Sequence, residues 1–230
     1  VAEHGNLWTE ALARDPEHSK NYAQRWRRLE EAGQDIDGEA RLIDAMAERG
    51  SRILDAGCGT GRTGGWLAQR GHTVVGVDLD PHLIDVARED HPEVTWHAMD
   101  LGRLDLRQPY GDRIRFDLAV MAGNVMTFVA TAERQEVLRR IADHLYPDGR
   151  FVCGFGAGRG YDFEEFFADA EAAGLGLDLR RPPRTSSSPS SAPAEDGALQ
   201  QRAPPAAGVS GTGDTRIVIH GVSRRTWWHA

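Results

Sequence analysis

The chain has 230 residues, 40% of them hydrophobic, and a formal net charge of −8, which suffices for one α/β domain with its own core and excludes a global electrostatic footprint for nucleic acid. Two cysteines, Cys58 and Cys153, are too few for a disulfide framework and point to a reducing, cytoplasmic setting. No apolar run approaches the roughly 18 residues of a membrane span, and no charged-then-apolar signal pattern opens the sequence.

Residues 1–50 are expected to form a helical cap. Tyr22, Trp26 and Leu29 recur at helical spacing among Arg25, Arg27 and Arg28. Two readings stand for this stretch: a solvated arginine face, or a lid with Tyr22 or Trp26 turned toward a ligand. From Gly38 to Glu48, Leu42, Ile43 and Met46 fall together, and Gly50 stops the helix.

A repeating pattern then covers residues 51–180. Ile53 and Leu54 make a short buried strand that ends on Asp55, breaks into Gly57, Gly59 and Gly61, and continues as a helix from about Arg62 to Gln69. Thr73–Asp78 reads as a second strand, and Pro81 opens a helix whose apolar side is Leu83, Ile84, Val86 and Ala87. Val94–His97 is a third strand leading into Asp100 and Leu101; Phe116–Met121 is a fourth, followed by Ala122, Gly123 and Asn124. A helix from Ala132 to Leu145, a turn at Pro147-Asp148-Gly149, a fifth strand Arg150–Cys153, a helix Asp162–Ala173 and a sixth strand Leu175–Leu179 follow. This alternation predicts a Rossmann-like, doubly wound, mostly parallel sheet with helices on both faces.

The composition breaks over residues 181–214, where six of the eleven prolines lie between Arg181 and Ala207 in a Ser/Ala-rich run. Disorder is expected there; a shifted reading frame after about Arg180 is the other reading of so abrupt a change. Within residues 215–230, Thr215–His220 is a candidate last strand, and the basic-aromatic Ser223–His229 reads as an ordinary terminus before it reads as a stacking surface for nucleic acid.

Strand, glycine turn and helix form the geometry that lets a backbone approach a nucleotide-like ligand. Glycine suits such a turn because unusual φ values are needed and no Cβ can intrude. Asp78, at the end of the second strand, is placed to accept from two ribose hydroxyls. These features together predict an adenosine-binding unit. Gly59, Gly61 and Gly64 also satisfy the dinucleotide pattern, but the single lysine, Lys20, lies upstream of the fold. No Tyr-x-x-x-Lys pair exists, there is no room for a substrate domain, and ATP-type phosphate loops are excluded for want of Gly-Lys-Ser/Thr.

Leu54-Asp-Ala-Gly-Cys-Gly-Thr-Gly61, with Val77-Asp-Leu-Asp80 and Met99-Asp-Leu101, resembles the class I S-adenosylmethionine-dependent methyltransferases, and the likeness extends through Asp117, Ala122-Gly-Asn124 and Pro147–Val152. The resemblance implies a seven-stranded sheet whose last strand is antiparallel, with S-adenosyl-L-methionine as cofactor. It places Asp55, Gly57, Gly59 and Gly61 at the methionine end, Asp78 at the ribose, Leu79 on the adenine face, Asp100 and Leu101 at the adenine, and Ala122 and Gly123 under the sulfonium. Asp80 reads better as a helix N-cap than as a ligand. The segment between Leu179 and Ile217 departs from the family pattern and puts the last strand in doubt.

The expected acceptor is a small molecule, reached near Asn124 and Phe155–Arg159; that glycine-rich segment reads either as a site where Arg159 admits an anionic group or as a flexible loop without function. Asn124 reads as a turn residue or as a group orienting the acceptor. The Asn/Asp-Pro-Pro-Tyr/Phe loop of nucleic-acid amino methylases is absent, so no nucleic-acid or membrane partner is expected. No catalytic acid or base is assigned, because displacement at a sulfonium can rest on position and desolvation. His97 is expected on the sheet surface and His144 on a helix exterior, and no cluster has metal-ligand spacing. The competing classes are an NAD(P)-binding oxidoreductase and a non-catalytic cofactor-binding module.

Overall fold

The computed structural model describes residues 5–180 and 215–222. Three helices, α1 (Leu7–Arg14), α2 (His18–Glu31) and α3 (Gly38–Met46), precede the first strand. The chain continues through β1 (Arg52–Ala56), α4 (Arg62–Gln69), β2 (Thr73–Asp78), α5 (Pro81–Asp90), β3 (Thr95–Ala98), β4 (Phe116–Met121), α6 (Val125–Phe128) and α7 (Arg134–Asp143). It ends with β5 (Leu145–Gly156), α8 (Phe163–Ala172), β6 (Leu175–Arg180) and β7 (Thr215–Val222). The strands lie in the order β3-β2-β1-β4-β5-β7-β6. β1 pairs in parallel with both β2 and β4, so the strand order reverses there. β7 runs antiparallel between β5 and β6, as the resemblance implies for a last strand. The disorder and reading-frame expectations for residues 181–214, and the tail after Val222, lie outside the described residues.

Alternation along the strands builds two cores. Leu54, Ala119, Met121, Phe151 and Cys153 face one way and pack with Val137, Leu138 and Ile141 of α7 and Phe163 and Phe166 of α8. Ile53, Leu118, Val120 and Val152, one residue out of phase, face the other way and pack with Ile43, Leu67 and Ile84. Trp96 of β3 explains several glycines at once. A Cβ at Gly76 would lie 2.1 Å from its ring, one at Gly61 2.9 Å and one at Gly64 3.0 Å. The last two glycines of the dinucleotide-like pattern are therefore spent on seating an indole, which donates its Nε1–H to the His91 carbonyl at 2.9 Å.

Some local expectations are corrected. The fifth strand starts at Leu145, not Arg150, because Leu145 already pairs with Phe116; the register then shifts before Leu118 pairs with Arg150, so Pro147-Asp148-Gly149 bulges within the strand. His144 lies in the interior, fully buried, not on a helix exterior. It caps α7, its Nε2 accepts from the Leu106 N–H at 3.0 Å, and its Nδ1 lies 2.7 Å from the Arg140 carbonyl. Those partners require a proton on Nδ1 and none on Nε2.

The N-terminal helices are held by one carboxylate. Asp80 caps α5 by accepting from the His82 N–H at 2.9 Å, as its position before Pro81 predicts. Its other oxygen accepts from Trp8 Nε1 at 2.8 Å and from the Ser19 hydroxyl, tying α1 and α2 to the first residues of α5. Arg62 of α4 makes a second clamp: it pairs with Glu39 of α3, donates to the Ile36 carbonyl and lies 4.5 Å over the Trp26 ring.

Asp80→Ala removes a cap and strands two buried donors, so it should cost about 2–4 kcal/mol in urea unfolding, and unchanged stability would refute the clamp. Burial lowers the His144 pKa. The neutral ring thus contributes stability that is fully present above the unfolded value of about 6.5 and is lost as pH falls through the lowered folded value. Nitrogen NMR of His144 should show the neutral Nδ1–H form persisting below pH 6.5 (about the ordinary histidine value).

Candidate active site

β1 and β2 end side by side at the reversal of strand order, where a crevice opens beyond the strand ends. The Gly57 and Cys58 amides both donate to the Val77 carbonyl, at 2.7 and 3.1 Å, fastening the glycine turn to β2. Gly57 has φ +79° and a Cβ there would meet the Val125 methyl carbons at 2.5 Å; Gly59 has φ +54° and faces Tyr22, whose ring lies 3.5 Å from where a Cβ would stand. Only glycine satisfies both constraints without strain.

A cavity of about 700 Å³ lies over this turn, lined by Asp55, Gly57, Gly59, Asp78, Leu79, Ala122 and Gly123. The structure thus brings together seven of the residues singled out from sequence. Gly61, Asp100 and Leu101 do not line it. Gly61 is turned to Trp96, Leu101 is buried in the larger core, and Asp100 accepts from the Gly102 N–H at 2.8 Å, capping the 3-10 turn Leu101–Arg103. A second hollow of about 540 Å³ lies between α2, α4 and α5, but Asp55, Asp78 and the Gly57–Gly59 turn take no part in its wall.

The two acids of the cavity differ in environment. Asp78 accepts from the Gly59 N–H and the Asp80 N–H, each at 2.9 Å, one at each oxygen. Each carboxylate oxygen keeps a further lone pair for a donor in the cavity. Burial pushes its pKa up to about 6, against the pull of those amides. Asp55 is 1% exposed, and its Oδ2 has no hydrogen-bond partner in the protein. Burial pushes Asp55 up to about 7, only partly opposed by the nearby Gly64 amide. The Asp55 Oδ2 lies against Gly64 of α4, 2.9 Å from where a Cβ would stand. Burial also raises the Cys58 thiol well above its ordinary value and raises Tyr22, so neither is poised as an anion.

The roof comes from the N-terminal helices and from after β4. Trp8, Tyr22 and Phe128 meet edge to face, with Trp8 5.3 Å from Tyr22 and 5.9 Å from Phe128. Tyr22 and Trp26 do face the cavity, while Arg27 of the same helix reaches out to Asp90 at 3.2 Å. The two sides of α2 thus differ, one turned to the cavity and one to charged partners on the surface. Asn124, left-handed with φ 71°, is a turn residue: its Oδ1 accepts from the Gly156 N–H at 2.7 Å, joining the ends of β4 and β5 at the cavity wall. Sequence reasoning missed Arg14 and His18, which enter the wall only because Asp80 draws α1 and α2 over β2.

Comparison with known proteins agrees with this geometry. A family model described as a methyltransferase domain matches residues 53–149. A TehB-like SAM-dependent methyltransferase from Corynebacterium glutamicum is 43% identical, with 91% of this chain and 100% of that one covered at a TM-score of 0.73. An amino pentose methyltransferase from Micromonospora echinaspora, solved with SAM bound, shares the fold at 19% identity and a TM-score of 0.63, covering 88% of this chain and 96% of that one. Magnesium-protoporphyrin O-methyltransferase of Rhodobacter capsulatus is 47% identical over 67 residues, 27% of this chain and 29% of that protein. The chain spans under half the length of the curated relatives it matches there, at 29%, 47% and 34%. With the glycine turn, the paired strand-end acids and a relative matched along its whole length, the chain belongs to the S-adenosylmethionine-dependent methyltransferases.

Proposed function

We propose that this chain transfers a methyl group from S-adenosyl-L-methionine to a small-molecule acceptor held in the same cavity. The observation that carries this reading is the roofed cavity of about 700 Å³ over the Gly57–Gly59 turn and Asp78, which falls within the common range for small-molecule sites. The cavity suits the cofactor on two counts: a glycine backbone bare of side chains under Tyr22, and Asp78 lone pairs turned inward.

When bound, the cofactor supplies a methyl carbon already activated by a sulfonium. The residues of this chain then have positional tasks. Asp78 would take the ribose diol, Asp55 would answer the cofactor's amino group, and Ala122 and Gly123 would bound the reacting end with no bulky side chain. Leu79 would pack on the adenine face, with the adenine lying toward Asp100 and Leu101 on the neighbouring strand end. Trp8, Tyr22 and Phe128 keep water out, and an in-line displacement gains most from such positioning and desolvation. Small-molecule acceptors are supported by the named relatives, among them an amino pentose methyltransferase.

Calorimetric titration with S-adenosylmethionine, S-adenosylhomocysteine and NAD should show binding of the two sulfur ligands alone; NAD binding alone would overturn the reading. Asp78→Ala should weaken S-adenosylhomocysteine by about tenfold or more, some 1.4 kcal/mol, and an unchanged Kd in a folded variant would sink the ribose assignment. Because both acids are raised, to about 6 and about 7, affinity for the cationic ligand should rise as pH climbs through that window and both ionise. Asp55→Asn should remove the upper part of the rise.

A further inference from the structure

Of the three acids in the cavity wall, Glu39 is paired with Arg62, Asp78 accepts two backbone amides, and Asp55 is buried at the end of β1 with one oxygen unpaired. Arg14, Arg25 and Arg159 also line the wall, one each from the end of α1, the middle of α2 and the loop after β5. None of the three forms an ion pair among the described residues: Arg14 Nε bonds only the Glu10 carbonyl at 3.2 Å, and Arg25 lies 5.9 Å over the Trp26 ring. Elsewhere arginines are commonly matched with acids, as Arg27 is with Asp90, Arg41 with Asp35 and Arg140 with Glu136. In a chain of net charge −8, three unmatched guanidiniums converge on one cavity.

S-adenosylmethionine has a single carboxylate, so one guanidinium would suffice for it and the others would be left for a different anion. Arg159 is the one set apart from the cofactor strands. Gly156, the last residue of β5, lacks a side chain where the arginine folds back: a Cβ there would lie 3.1 Å from Arg159 Nε and 3.6 Å from Asn124 Oδ1. Arg159 therefore stands beside Asn124 on the β4–β5 side of the site, whereas Asp78 and the glycine turn lie on the β1–β2 side. The same cavity is also lined by Trp8, Tyr22 and Phe128, whose rings meet edge to face.

We propose that the methyl acceptor is a carboxylate-bearing molecule with an apolar body, its carboxylate gripped by Arg159 and its body held by the aromatic side chains Trp8, Tyr22 and Phe128. This rests on the methyltransferase reading of the same cavity. A guanidinium presents paired N–H donors that match a carboxylate, and aromatic walls add little cost on ordering.

The test compares matched probes, 2-naphthoate against 2-naphthamide and benzoate against benzamide, by calorimetry on the full chain with and without saturating S-adenosylhomocysteine. The acids should bind about tenfold or more tighter than the amides. Arg159→Gln should reduce that preference to about threefold or less, with Arg159→Lys intermediate because the charge returns without the fork. Equal affinities, no binding of either acid, or a preference that survives in a folded Arg159→Gln protein would overturn the proposal. If S-adenosylhomocysteine itself fails to bind, the cofactor reading falls, while the acid-over-amide comparison on the protein without it still decides this one.

Discussion

Two carboxylates, two residues apart at the end of β2, bind opposite halves of the protein. Asp78 accepts from the Gly59 amide and so sets the glycine turn against the strand ends. Asp80 accepts from the N-terminus of α5 on one oxygen and from Trp8 and Ser19 on the other. Buried acids this close repel, and that repulsion adds to burial in raising Asp78. They are tolerated because backbone amides and side-chain donors satisfy them, with the α5 terminus favouring negative charge. Remove this corner and the turn loses its floor while the roof loses its anchor.

The cavity that results is chemically asymmetric. Its floor is backbone, its roof is aromatic, and Glu39 is paired with Arg62 while Asp55 and Asp78 are buried at the strand ends. Such an arrangement gives position, dryness and charge complementarity. Cys58 and Tyr22 are held neutral by burial. That matches a reaction in which the leaving group is already activated and orientation carries most of the rate.

The sequence by itself determined the order of strands and helices, because short apolar runs mark β1 and β4 and apolar residues recur at helical spacing in α5 and α7. It also picked out seven residues of the cavity wall: Asp55, Gly57, Gly59, Asp78, Leu79, Ala122 and Gly123 are local to strand ends, where short-range pattern fixes position. Tertiary structure alone decided the rest. Trp96 reaches three glycines on two other elements, so Gly61 and Gly64 serve packing where spacing alone would assign them to a ligand. His144 is interior because the chain leading to β4 passes over the end of α7 and offers it the Leu106 amide, a partner 38 residues away. Arg14 and His18 enter the site because Asp80 holds helices that begin more than 60 residues earlier. Contacts of that span leave no periodic trace in the sequence, since they depend on where elements dock and not on how each one folds.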